Sequence, residues 1–386
     1  MPSDGSPDGS AEAALGDGLT GAQVAVPAQV SWEAGRRGRL RLAKGFLRVV
    51  YAVGALLLFI LALEVLRAAA GGVADILTGV SAQGSANILG FGWLGAYGAL
   101  SGSPVAAIAL SLFAGGTISD SEAFAMLNGS RMGASFIVLF IGFLYYVSKR
   151  RTADGIFIGV VAMLTTFTIY APVVPLGSLV LEQGWLDGVE VSAPGFLVSF
   201  TDLAFRPLAE EAAGNLPMLL VFAGGIGLLL ASFAIFDRAL PNLEQPSLRV
   251  ERISRLLHRP LVMFLLGLLI TTMTLSVSIS LTLLIPLSLK GYVRRDGIIP
   301  YVMGANISTW VDTMFAALLL DSPRAFTIVF TQMAVGAVVS LLVLLLLYRP
   351  YSRVILSVAH RVTQRRREFV LFLGAIFLVP LVLFFV

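Results

Sequence analysis

Two short stretches carry the hydroxyls on which chemistry could be built. Ser101-Gly102-Ser103-Pro104 sits inside one apolar run, and Thr274-Leu275-Ser276-Val277-Ser278 inside another. A helix that stops at Leu100 frees carbonyl oxygens. One that restarts near Pro104 frees amide N–H groups and presents the positive end of its dipole. Proline suits that first turn because it has no N–H to leave unpaired. Amides together with the Ser101 and Ser103 hydroxyls make an anion cradle, and freed carbonyls with hydroxyls make a site for a hard cation. The plainer role for such residues is packing, since small side chains let membrane helices approach closely.

Two charges lie within about two turns of further polar motifs. Arg131 follows Asn128-Gly129-Ser130, and Asp312 follows Gly304-Ala305-Asn306-Ile307-Ser308-Thr309, each inside an apolar run. A charge at membrane depth costs roughly 2.5–3.5 kcal/mol on insertion scales and calls for a partner or a function. Arg131 is expected to face a cavity and hold an anionic substrate, with Asp312 as coupling group or counter-charge. A structural Arg131–Asp312 pair locking the chain together is the alternative. Thr274, Asn306, Ser308 and Thr309, with Ser130 and Ser135 as first-half counterparts, offer oxygens to a cation. Their plainer role is interhelical hydrogen bonding, worth about 0.6 kcal/mol each.

The elements that must position these groups are membrane helices. The chain is 57% hydrophobic and 13% charged, where a soluble domain carries roughly 25% charged residues. Apolar runs of spanning length fall at about 46–69, 122–147, 156–181, 215–236, 297–320, 325–348 and 369–386, and two interrupted ones at about 91–115 and 261–289. Arginines and lysines collect before residue 46, at 149–151, 238–259, 290–295 and 349–367, whereas residues 177–214 hold six acids and one base. With the basic loops cytoplasmic, the pattern closes only if 91–115 and 261–289 do not cross. Each is expected to enter and leave on one side, the first from outside and the second from inside. Irregular backbone at that depth is tolerated only against protein or a water-filled cavity.

There are no cysteines, and the two histidines, His258 and His360, sit among arginines. Transition-metal binding and an intramembrane serine protease, which needs a histidine at depth, are therefore poor readings, and no enzyme activity is expected. No P-loop pattern exists. Residues 1–35 are acidic, small and polar, and read as a disordered tail. The segment 349–368 is basic with Val354, Ile355, Val358 and Val362 at helical spacing, and reads as an interfacial helix on anionic lipid. Glu64 and Arg67 read as a local i,i+3 pair.

A shift of 175 residues brings the two halves into register. Leu100-Ser101-Gly102-Ser103 meets Leu275-Ser276-Val277-Ser278, and Gly129-Ser130-Arg131-Met132 meets Gly304-Ala305-Asn306-Ile307. The odd number of crossings between them makes their orientations opposite, the inverted repeat of secondary transporters, whose sites lie near the bilayer midplane at interrupted helices. Residues 46–348 resemble the sodium–phosphate cotransporter family. Each half of that family carries a Gln-Ser-Ser-Ser motif and, at a fixed distance, Gly-Ala-Asn-Ile-Gly-Thr. Here Leu100 and Leu275 stand at the glutamine positions, Gly102 and Val277 replace one serine of each triplet, and Arg131 stands where the family has Asn.

The resemblance implies Na⁺-coupled symport of inorganic phosphate. The residues by themselves reach a small anion with a hard cation, with H⁺ coupling through Asp312 left open. Substrate contacts are expected from Ser101, Gly102, Ser103, Arg131, Ser276 and Ser278. Ion contacts are expected from Ser130, Ser135, Thr274, Asn306, Ser308, Thr309 and Asp312. The expected architecture is an all-α integral membrane protein of the plasma membrane with a cytoplasmic N-terminus. It comprises repeats at 36–181 and 215–348, an extracytoplasmic loop at 182–214 and a last span at 369–386. Its partners are phosphate or a related anion, Na⁺ and anionic lipids; nucleic acid is not expected. A transporter-derived scaffold without transport is the rival.

Overall fold

The structure is a computed structural model. It describes residues 28–72, 84–147, 154–189, 191–239, 259–289 and 293–386, with side chains from residue 46 onward except at a few helix positions. The chain divides into two compact units, Met1–Leu47 and Arg48–Val386. In the first the chain is helical from Ala28, inside the stretch expected to be disordered; residues 1–27 lie outside the described residues. The second unit carries the candidate site.

All described secondary structure is helical. The elements are α1 (Ala28–Ala68), α2 (Ser85–Ala99), α3 (Ser103–Ala114), α4 (Asp120–Ala134), α5 (Phe136–Tyr145), α6 (Asp154–Glu182), α7 (Gly195–Ala204), α8 (Arg206–Asn215) and α9 (Met218–Ala239). They continue with α10 (Pro260–Thr274), α11 (Val277–Leu289), α12 (Arg295–Ser308), α13 (Trp310–Leu319) and α14 (Pro323–Leu342). A π-helical turn at Val343–Leu347 then leads to α15 (Tyr348–Gln364) and α16 (Arg366–Phe385). Among the described residues, seven stretches are long and apolar enough to cross a membrane. They fall where hydropathy placed them, with single-residue breaks at Ser135 between α4 and α5 and at Thr309 between α12 and α13. The chain is accordingly a multi-pass membrane protein.

Two pairs of helices form the framework, α2 against α4 and α10 against α12, and glycines set their spacing. A Cβ on Gly129 would strike the Leu89 carbonyl and the Trp93 amide. One on Gly304 would strike the Phe264 carbonyl and the Leu268 amide. Gly92 approaches the Met126 carbonyl as Gly267 approaches that of Tyr301. Each residue in the second pair of helices is 175 positions after its counterpart in the first.

Several chain ends gather at one end of the bundle. Ser119 caps α4 in a capping box with Glu122, whose Oε2 accepts from the Ser119 amide at 2.8 Å. Glu122 Oε1 accepts from the Gly84 amide, just before α2, at 3.0 Å. Arg67, at the end of α1, donates to the Leu320 carbonyl at 3.2 Å, just beyond α13. Arg324, at the start of α14, bonds Asp120 at the start of α4 at 2.5 Å and also Asp187, which follows α6. Arg67 is the leading positive charge acting on Glu64, as the i,i+3 spacing suggested, although its own hydrogen bond goes to the Leu320 carbonyl. Arg206 adds a second charge at 3.9 Å and itself reaches Asp202 at 2.9 Å. Sequence spacing cannot see such a tertiary partner.

The last span docks on α2 through a defect of its own making. Pro380 has no N–H to give the carbonyl four residues earlier, that of Ile376. The Tyr97 hydroxyl donates to that carbonyl at 2.8 Å and accepts from Trp93 Nε1 at 2.8 Å. Asn87 donates to the Phe384 carbonyl at 3.2 Å, and Gly90 lets the backbone of Pro380–Phe384 lie directly against α2.

Candidate functional site

Each interrupted apolar run turns on a leucine. Leu100 ends α2 with φ 49° and ψ 26°, and Leu275 ends α10 with φ 48° and ψ 25°. Both are left-handed, the region glycine favours. At the first turn the Ser101 amide reaches the Ala96 carbonyl at 3.2 Å and the Leu100 amide that of Tyr97 at 3.3 Å, the paired bonds that close a helix end in a Schellman motif. Gly102 follows; a Cβ there would meet the Ser130 carbonyl and the Ala134 methyl, both at 2.9 Å. The first turn therefore lies against α4 where Arg131 sits. Pro104 occupies the first turn of α3, as the sequence indicated.

Arg131 is 1% exposed. Its Nη1 donates to Thr309 Oγ1, at the break between α12 and α13. Its guanidinium carbon lies 4.0 Å from the centroid of the Trp310 ring, a cation–π contact of about 2 kcal/mol when desolvated. Trp310 is fully buried, and its Nε1 approaches the Tyr170 hydroxyl at 3.4 Å. Nε and Nη2 of Arg131 have no hydrogen-bond partner. A buried donor left unmade costs about 1–3 kcal/mol, more for a charged group, so two guanidinium nitrogens stand open to an acceptor.

Asp312 lies one turn beyond Thr309. Its Oδ1 accepts from the Thr313 hydroxyl at 3.0 Å, and its buried Oδ2 has no hydrogen-bond partner. Ser103 faces the carboxylate from the first turn, and Leu275 of the second turn shares a cavity wall with it. Asp312 and Arg131 are close enough to interact electrostatically but share no hydrogen bond. A locking Arg131–Asp312 bond is therefore not what holds Arg131.

The remaining hydroxyls mostly turn back on their own helices. Ser130, Ser135 and Ser308 donate to the carbonyls of Leu127, Met132 and Ala305 at 2.8, 2.8 and 3.2 Å. Thr309 donates to the Asn306 carbonyl at 2.9 Å while accepting from Arg131. Such back-bonding satisfies the hydroxyl proton and leaves an oxygen lone pair. Thr274 reaches the Ser276 carbonyl at 3.2 Å, Asn306 donates to Thr166 Oγ1 at 2.9 Å, and the Ser278 side chain lies outside the described residues. The structure thus brings together Arg131, Thr309, Asp312 and the first turn. It ties Asn306 to α6 and leaves Ser130, Ser135 and Ser308 facing their own backbones.

Three groups escaped the sequence reading. Trp310 and Tyr170 frame the guanidinium. Gln332 is fully buried with neither side-chain atom bonded, one turn before Gly336, which lies against the Tyr170 hydroxyl. A glutamine in the middle of an apolar run was the available signal. No protein-family model, curated protein or solved structure matches the chain.

Proposed function

We propose that the protein is a secondary transporter that carries a small anion, phosphate or a close relative, across the membrane by alternating access. In this reading its halves are inverted repeats, and the turns at Leu100 and Leu275 are the tips of re-entrant hairpins. The observation that carries the reading is Arg131: a fully desolvated guanidinium with two unpartnered nitrogens, held between the two halves by Thr309 and Trp310. A guanidinium fork suits a tetrahedral oxyanion.

Re-entry of the first hairpin is supported by Glu122, whose carboxylate accepts from both Gly84 and Ser119; the chain before α2 and the chain after α3 are at the same end. Inversion is supported by Arg324. It bonds Asp120 at the start of the broken span α4–α5 and lies just after the end of its counterpart α12–α13, which favours opposite directions for the two spans. Na⁺ is the coupling ion the family resemblance implies. The unpartnered oxygen of Asp312 suits H⁺ as well. A cytoplasmic N-terminus is supported by the basic loops of the sequence, and a surface of anionic lipid under α15 by its arginines.

The test is [³²P]phosphate uptake into proteoliposomes, with Na⁺ and proton gradients imposed separately. Saturable uptake driven by one of them is expected. No uptake under any gradient would leave the scaffold reading.

A further inference from the structure

Two short helices, α7 and α8, lie between α6 and α9. Among the described residues α6 and α9 are stretches long and apolar enough to cross a membrane, and α7 and α8 are not. They therefore sit at the membrane face where α6 ends and α9 begins. α7 has two unlike sides. Phe196, Phe200 and Leu203 follow the i, i+4, i+7 spacing of one helix face, and all three are exposed, Phe196 by 77% and Leu203 by 84%. Thr201, on the other side, is buried. Arg206, at the head of α8, fixes which side looks out: it reaches Asp202 of α7 at 2.9 Å and Glu64 of α1 at 3.9 Å. Trp185, in the turn after α6, is exposed as well.

We propose that α7 is a docking surface for the phospholipid bilayer, lying in the boundary between headgroups and acyl chains with Phe196, Phe200 and Leu203 immersed. Two rings and a leucine held out in water forfeit the free energy of burying them. A short helix with one apolar and one polar side is the form that lies in the plane of a membrane surface. Continuity names the occupant. Leu216, Leu219 and Leu220, where the chain enters α9, are exposed too, so the apolar face of α7 adjoins a span that meets lipid. Trp185 adds the indole that collects at the membrane–water boundary. A second copy of the chain fits poorly: three side chains on two turns fall short of the ~800 Å² per partner that a stable interface buries. Glu210 and Glu211 on α8 disfavour an anionic leaflet, so the lipid is zwitterionic.

The test places a nitroxide at one position at a time, which a chain without cysteine allows. Phe196→Cys, Phe200→Cys, Leu203→Cys and Glu211→Cys, each in the full-length protein, would be spin-labelled and reconstituted into phosphatidylcholine vesicles. Collisions are measured with oxygen, which concentrates in hydrocarbon, and with a neutral nickel chelate, which stays in water. At 196, 200 and 203 oxygen is expected to exceed the chelate several-fold, with the order reversed at 211. All four side chains are exposed, so replacing them removes no packing, and the three apolar positions report separately if one variant fails to fold. Chelate collisions at 196, 200 and 203 as frequent as at 211 would overturn the proposal by putting the face in water. So would dipolar broadening at 200 that vanishes on dilution with unlabelled protein, which would seat a second copy there. No gradient or anion is present, so the outcome is independent of whether the protein transports phosphate.

Discussion

Leu100 and Leu275 stand 175 positions apart and adopt one backbone conformation, left-handed at φ 49° and φ 48°. Asp321 is the only other non-glycine residue with positive φ among the described residues. The left-handed conformation costs an L-residue about 1–2 kcal/mol, and the same unfavoured choice recurs at the same place in both halves. Strain of this kind persists only where the surroundings over-determine it. Glycine would relieve it while adding unfolded-state entropy. We expect Leu100→Gly and Leu275→Gly each to raise stability by about 0.5–1 kcal/mol, read as a higher unfolding temperature in detergent. A fall in both would show that the leucine side chains contribute more than the turn costs.

Arg131 separates a structural from a ligand-binding role. Two of its donors are unmet and it shares no hydrogen bond with Asp312, and a buried charged donor without a partner is itself costly. Arg131→Met should therefore unfold no earlier than the native chain, yet lose anion affinity by roughly 10–100-fold, the worth of a hydrogen bond to a charged group. Arg131→Lys keeps the charge without the fork and should fall between. Phosphate binding and thermal unfolding measured on the same samples decide it. A variant that binds normally would take Arg131 out of the site.

The glycine contacts give a paired prediction. A methyl at Gly129 or Gly304 runs into backbone, which cannot step aside. Gly129→Ala and Gly304→Ala should each lose about 1–3 kcal/mol, the usual cost of overpacking. Gly98 has open space where a Cβ would go, and Gly98→Ala should be tolerated. Recovery of folded, monodisperse protein after purification is the readout.

Much of this arrangement was legible in the sequence. The spans follow from apolar length, and the turns follow from hydroxyls and Pro104 inside apolar runs. The offset of 175 was visible in few identities, but it reappears in four backbone approaches, those of Gly92, Gly129, Gly267 and Gly304. What could not be read was tertiary choice. Leucine gives no local sign of a left-handed turn. Whether Ser130 or Ser308 faces a site or its own carbonyl is the same pattern in sequence. Trp310 over Arg131 joins residues far apart in the chain, and so does Arg206, which adds a second charge beside Glu64.

Tyr97 and Pro380 form a second such pairing, and a double-mutant cycle can measure it. Tyr97→Phe leaves the Ile376 carbonyl without a donor and should cost about 1–3 kcal/mol. Pro380→Ala restores an N–H to that carbonyl within α16. In its presence Tyr97→Phe should cost less than half as much. Equal costs in both backgrounds would show that the hydroxyl does not serve the carbonyl freed by proline.

The native chain has no cysteine, so single cysteines report their own positions. Ser85 and Ser121 flank the first turn, and Arg259 and Arg294 the second; all four are exposed. Each would be replaced by Cys and treated, in sealed vesicles of known orientation, with a membrane-impermeant maleimide. Two hairpins dipping from opposite faces require positions 85 and 121 to react from one side and 259 and 294 only from the other. Reaction of 85 and 121 from opposite sides, or of all four from the same side, would contradict the inverted hairpins and the carrier built on them.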